Sequence, residues 1–162
     1  MSDTADRARR DRVFLVVVDD SPEREVALKY AALRAKKSGG RVALLRVLEP
    51  VEQVEWAGIG AMMEEERREA AEALLSGLAA QVQATTGGLP ILILREGKPV
   101  EQVIAVLEED PRISILVLAS ATGSGGPGPL ITALAGKAGG KLRAPMTIVP
   151  GGLDDQELDR VT

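Results

Sequence analysis

Five short apolar runs punctuate the chain: VFLVVV (13–18), VALLRVL (42–48), ILIL (91–94), ISILVL (113–118) and MTIV (146–149). They are continuous rather than alternating, the pattern of strands covered on both faces of a parallel sheet. Helical periodicity fills the intervals. Val100, Val103, Ile104 and Leu107 fall on one stripe at 3.6-residue spacing. Over 61–84, Ala71, Leu74, Leu75, Leu78 and Val82 form a second stripe, with Glu64–Glu66, Arg67 and Arg68 on the wet side. Residues 23–37 predict a third helix, with Ala27, Tyr30 and Ala31 inward and Gly39-Gly40 ending it. A fourth is expected over about 130–139, opened by Gly128-Pro129, because proline at the first helical position loses only an orphan N–H.

The order βαβαβαβαβ defines an α/β fold, an open five-stranded, mostly parallel sheet with helices on both faces. Residues 1–12 are expected to be a frayed arm, 13–150 the α/β domain and 151–162 a tail with a short helix. In that tail Asp154 or Asp155 is the candidate N-cap, and Leu153, Leu158 and Val161 are the residues expected to pack back on the body. The connection 50–60, PVEQVEWAGIG, holds the sole tryptophan and reads as a mobile flap or a partner-facing patch.

Composition narrows the chemistry. A chain of 162 residues suits one domain with a substantial core. There is no cysteine and no histidine, which removes disulfides, thiolate chemistry, imidazole bases and the usual metal ligands. With 24 acidic and 20 basic residues the net charge is −4, which argues against nucleic acid as partner. Phe14, Tyr30 and Trp56 are the only aromatics, too few for base stacking. No apolar stretch approaches the roughly 20 residues that span a bilayer. The charged opening MSDTADRARRDR lacks an apolar signal region, so a cytoplasmic location without membrane contact is expected.

Ligands of such sheets bind beyond the carboxyl ends of the strands, where strand order reverses. The residues there are Asp19, Asp20 and Ser21, then Glu49 and Pro50, then Arg95–Lys98, and finally ASATGSGGPGP (119–129). A phosphorylatable receiver domain would open like VVVDDS. It would also need an aspartate ending the third strand and a lysine after the fifth, where this chain has Leu94-Arg95-Glu96-Gly97 and Val149-Pro150-Gly151. A flavin carrier would need a hydroxyl-rich first loop and ring-stacking aromatics. Asp19-Asp20 and the scarcity of rings argue against it.

The stretch VVVDDSPEREVALKYAALRAKKSGGRVALLRVLEP resembles the opening of the universal stress protein family. The likeness continues through EGKPVEQVIAVLEE, ILVLAS and APMTIVP, and covers about residues 12–150. It implies a Rossmann-like, adenine nucleotide alpha hydrolase-like sheet and a stress-response protein that dimerises through its fifth-strand edge, here Met146, Thr147, Ile148 and Val149. A short strand at a sheet edge is compatible with such pairing.

In nucleotide-binding members an aspartate after the first strand and the valine ending the second hold the adenosine part. Asp19 and Val47 match those positions. The phosphates are held by glycine, two residues, glycine, nine residues, then glycine and a hydroxyl residue. Glycine lets backbone N–H groups approach phosphate oxygens. By spacing, these positions fall on Ala119, Thr122, Thr132 and Ala133, and none matches. Displaced substitutes stand nearby in Ser120, Thr122, Gly123, Gly126 and Thr132, but Pro127 and Pro129 each remove a donor.

Asp19 is therefore either an adenosine partner or a cap for the helix after it, whereas Asp20 and Ser21 read as turn and cap residues. Two functions stay open. One is a homodimeric stress factor with a degenerate phosphate loop, without a firm cofactor or tight ATP binding. The other is a stress regulator binding ATP or AMP, with magnesium, that hydrolyses ATP slowly at most.

Overall fold

The computed structural model describes residues 3–5, 12–50 and 58–162. Most of the expected arm, and most of the connection with Trp56, lie outside the described residues. Five parallel strands, β1 (Val13–Val17), β2 (Arg41–Leu48), β3 (Ile91–Glu96), β4 (Ile113–Ser120) and β5 (Met146–Pro150), form one sheet in the order β3-β2-β1-β4-β5. Between and after them run α1 (Arg24–Ser38), α2 (Ile59–Thr86), α3 (Pro99–Glu109), α4 (Pro129–Ala135) and α5 (Asp155–Val161).

Successive side chains of a strand point to opposite faces. Phe14, Val16 and Val18 therefore pack with Ala27, Leu28 and Ala31 of α1 and Leu75, Leu78 and Val82 of α2. Val13, Leu15 and Val17 meet Val103, Val106 and Leu107 of α3 and Ile131 and Leu134 of α4. Helices thus cover both faces, and every residue of β1 is buried. This explains the unbroken apolar run at its position.

β3 departs from that pattern. It is an edge strand, and Leu92 is exposed. It also extends through Arg95 and Glu96, beyond the apolar run, because those residues pair with Val47 and Leu48 of β2. The fourth helix is shorter than expected, ending at Ala135. Gly136 leaves helical geometry at φ −94° and ψ −122°, and a separate 3₁₀ turn follows at Gly139–Lys141. Gly39 closes α1 in the left-handed conformation at φ 76°.

After β5 the chain folds back over α1. Asp154 caps α5 in a reciprocal pair: its carboxylate accepts from the Glu157 N–H at 2.8 Å, and its own N–H donates to Glu157 at 2.9 Å. Leu158 is buried in the α1 side of the core and Leu153 packs against it, whereas Val161 is exposed, contrary to expectation. Lys29 reaches Asp155 at 3.0 Å, and Lys37 reaches the Asp159 carbonyl at 2.8 Å and the Thr162 hydroxyl at 2.9 Å. These contacts are exposed and worth little each, so burial of Leu158 is the main attachment.

Candidate functional site

Strand order reverses between β1 and β4, and the chain opens a crevice beyond their carboxyl ends. Its main part is a cavity of about 580 Å³. The ends of β1 and β2 line it through Val17–Asp20 and Arg46–Glu49, and α2 contributes Arg67, Ala70, Ala71 and Leu74. Pro99, Pro129 and Leu130 complete the wall. An annex of about 150 Å³ shares Val17, Asp19, Pro129 and Leu130 with it and is bounded by Ser21, Glu23, Arg24, Pro127 and Gly128.

Asp19 stands where the two spaces meet. One carboxylate oxygen accepts from the Ser21 N–H at 3.0 Å and from the Ser21 hydroxyl at 2.7 Å. That is the local turn expected of a strand-end acid. Its carbonyl accepts from the Arg24 guanidinium at 2.7 Å. One bonded oxygen thus serves the turn, and the second carboxylate oxygen faces no partner among the described residues.

Arg46 is the charge inside the VALLRVL run, and its side chain is only 17% exposed. The guanidinium donates to the Val18 carbonyl at 3.0 Å and to Asp20 at 3.0 Å, fixing the end of β1 to β2. Its Nε is buried without a partner among the described residues. Arg67 on α2 donates to the Glu49 carbonyl at 2.8 Å. The main cavity thus has an apolar floor with a few fixed polar groups at its rim, the usual build of a small-molecule site.

The annex is organised by Glu23, the residue preceding α1. It is only 9% exposed, and its carboxylate accepts from the Thr122 backbone N–H at 3.2 Å and the Thr122 hydroxyl at 3.3 Å. Its own backbone N–H, then that of Thr122, hold the carboxyl below its ordinary value, against the opposing effect of burial. The tail backs it from behind. A Cβ added at Gly151 would lie 2.5 Å from Glu23 Cγ and 2.1 Å from the Ser120 carbonyl oxygen.

Of the seven residues singled out from the sequence, Asp19 and Val47 line the main cavity together. Ser120, Thr122, Gly123, Gly126 and Thr132 line neither space. The Ser120 hydroxyl points toward the Val149 carbonyl at 3.5 Å, and the Thr132 hydroxyl bonds back to the Gly128 carbonyl at 2.8 Å. The loop closes on itself through the Ala121 N–H and the Pro127 carbonyl at 3.0 Å, with Gly123 and Gly126 exposed on it.

Sequence reasoning passed over Glu23 and Arg46. A single charge within an apolar strand was a visible signal for Arg46. Glu23 gave none, since its partner Thr122 lies far along the chain.

Among the described residues no group of three or more acidic side chains is placed to hold a metal ion, and no helix is long and apolar enough to cross a membrane.

The open parallel sheet with a crevice at its reversal point places the chain among the doubly wound α/β proteins. The sequence model of the universal stress protein family matches residues 12–150, and the chain belongs to that family. No curated protein matches the sequence. Among solved structures, universal stress protein UspA from Lactobacillus plantarum is 14% identical with a TM-score of 0.72, over 86% of this chain and 98% of that one. A family protein from Burkholderia pseudomallei is 17% identical with a TM-score of 0.65, over 87% of this chain and 97% of its own. A universal stress protein solved in complex with cAMP is 15% identical with a TM-score of 0.60, over 87% and 98%. At such identities the likeness is one of fold.

Proposed function

We propose that the chain is a cytoplasmic, homodimeric stress-response factor that works without tightly bound ATP. The observation that supports this is the occupation of the phosphate side of the crevice by the protein itself. Glu23 takes the Thr122 N–H, Pro127 and Pro129 offer no donor, and Gly123 and Gly126 line neither space. The adenosine half of a nucleotide suits the space beside Asp19 and Val47, but the triphosphate half does not suit these residues. No hydrolytic step is therefore assigned. Dimerisation is assigned to the β5 edge, where Met146–Val149 pair with β4 on one side only and Ile148 is 44% exposed.

A second reading, an adenine-nucleotide-binding regulator, draws on the main cavity with its free Asp19 oxygen and on the cAMP complex of a protein of the same fold. Calorimetric titration with magnesium-ATP at millimolar concentration separates the two. The expected result is no saturable heat. A saturable signal that disappears in Asp19→Ala would establish the second reading instead. Sedimentation at micromolar protein should give a dimer, and a monomer there removes the strand-pairing proposal.

A further inference from the structure

We infer that Glu23 is a resident anion that sets what the crevice accepts, closing the annex to the phosphate end of a ligand while the main cavity admits an uncharged, nucleoside-sized molecule. This rests on the proposed function and names the ligand class of that same site. A phosphate entering the annex would need donors, and the backbone donor at the head of the β4–α4 loop already serves the carboxylate, as does the Thr122 hydroxyl. Of the loop residues that line the annex, Ala121 spends its N–H on the Pro127 carbonyl, and Pro127 and Pro129 have none. Glu23 is not paired with a lysine or arginine among the described residues, because the neighbouring Arg24 donates to the Asp19 carbonyl instead. A second anion there would face an uncompensated like charge at close range.

The carboxylate is also held in place rather than merely present. Gly151 approaches so closely that no side chain fits between the tail and Glu23 Cγ. The Cβ–Cγ stem of Glu23 thus lies against the turn after β5, and its carboxylate is tied to the loop after β4 through Thr122. The main cavity is separate from this clamp: Asp19, Val47 and the apolar surface of α2 line it without help from Glu23. Binding there and exclusion in the annex are therefore separable properties of one crevice.

The test compares the full chain with Glu23→Ala and Glu23→Gln by isothermal calorimetry, using adenosine and AMP as probes. Wild type is expected to take adenosine in preference to AMP. In Glu23→Ala the affinity for AMP should rise by about tenfold or more, with undetectable binding as the floor, while that for adenosine stays within about twofold. Glu23→Gln keeps an acceptor for Thr122 and removes only the charge, so a smaller gain is expected. If Glu23→Ala fails to fold, Glu23→Gln decides alone. Unchanged AMP affinity in the folded variants overturns the inference. Tight magnesium-ATP binding by wild type would defeat the proposed function instead, whatever the variants do.

Discussion

Replacing Gly151 by alanine should destabilise the protein, whereas the same change at Gly152 should not. The structure sets the contrast. At Gly151 the new methyl would stand 2.1 Å from the Ser120 carbonyl oxygen and 2.5 Å from Glu23 Cγ. The first of these is backbone at the end of β4, where Ser120 is paired with Pro150, so it cannot rotate away. The turn must lift off the sheet edge, a strain of the kind that costs about 1–3 kcal/mol. In a domain of this size each kcal/mol is worth roughly 2–4 °C, so the melting temperature should fall by about 2–12 °C. At Gly152 the nearest atom to a new methyl is Thr122 Cγ2 at 3.7 Å, an ordinary contact. There the loss of unfolded-chain freedom should leave stability unchanged or raise it by about 0.4–1 kcal/mol. Thermal unfolding of the two variants beside wild type, by circular dichroism or calorimetry, reads the difference. A Gly151→Ala melting temperature equal to wild type, or an equal loss in Gly152→Ala, refutes the reasoning.

Asp154→Ala removes the side-chain acceptor for the Glu157 N–H, one of the two bonds of the reciprocal cap on α5, and should cost about 1 kcal/mol in urea unfolding; no change would mean that α5 does not stay docked in solution. The acid limb should report Asp110, whose carboxyl is held below its ordinary value chiefly by the Arg112 side chain. A depressed carboxylate stabilises the fold above its unfolded pKa and loses that contribution as pH falls through the folded one, so the loss should begin near pH 4 and deepen below it. Glu23 acts with the same sign. Asp110→Asn should therefore lower the melting temperature at neutral pH and converge with wild type toward pH 2, and parallel curves would contradict this.

The central strands could be read from the sequence because burial on two faces leaves a long apolar run with no competing pattern, and the edge strands β3 and β5 show as shorter apolar runs although they are only partly buried. Their ends were less legible, since pairing rather than apolarity decides them. Arg95 and Glu96 are strand residues only because Val47 and Leu48 lie alongside. The fourth helix was overextended because Gly136 differs from a tolerated helical glycine only in the backbone angles it adopts.

The site divided in the same way. Asp19 and Val47 follow from their places at the ends of β1 and β2, and both line the cavity. The donors proposed from the loop depended on which way each group faces. A closed, proline-bounded loop turns them outward or onto itself. Glu23 matters only because a fold brings it to Thr122, and no local pattern records that meeting.

The central strand also sets an order of events for the growing chain. Val13 pairs with Arg41 on one side and with Ile113 on the other. One flank of β1 can be satisfied as soon as β2 is made, while the second waits for most of the remaining sequence. Until β4 arrives, the most apolar strand of the protein has an open hydrogen-bonding edge, the kind of surface on which unfinished chains associate. Because so distant a pairing completes the sheet, closure onto β4 should be the slow step of folding, and the period before it is when the nascent chain most needs shielding.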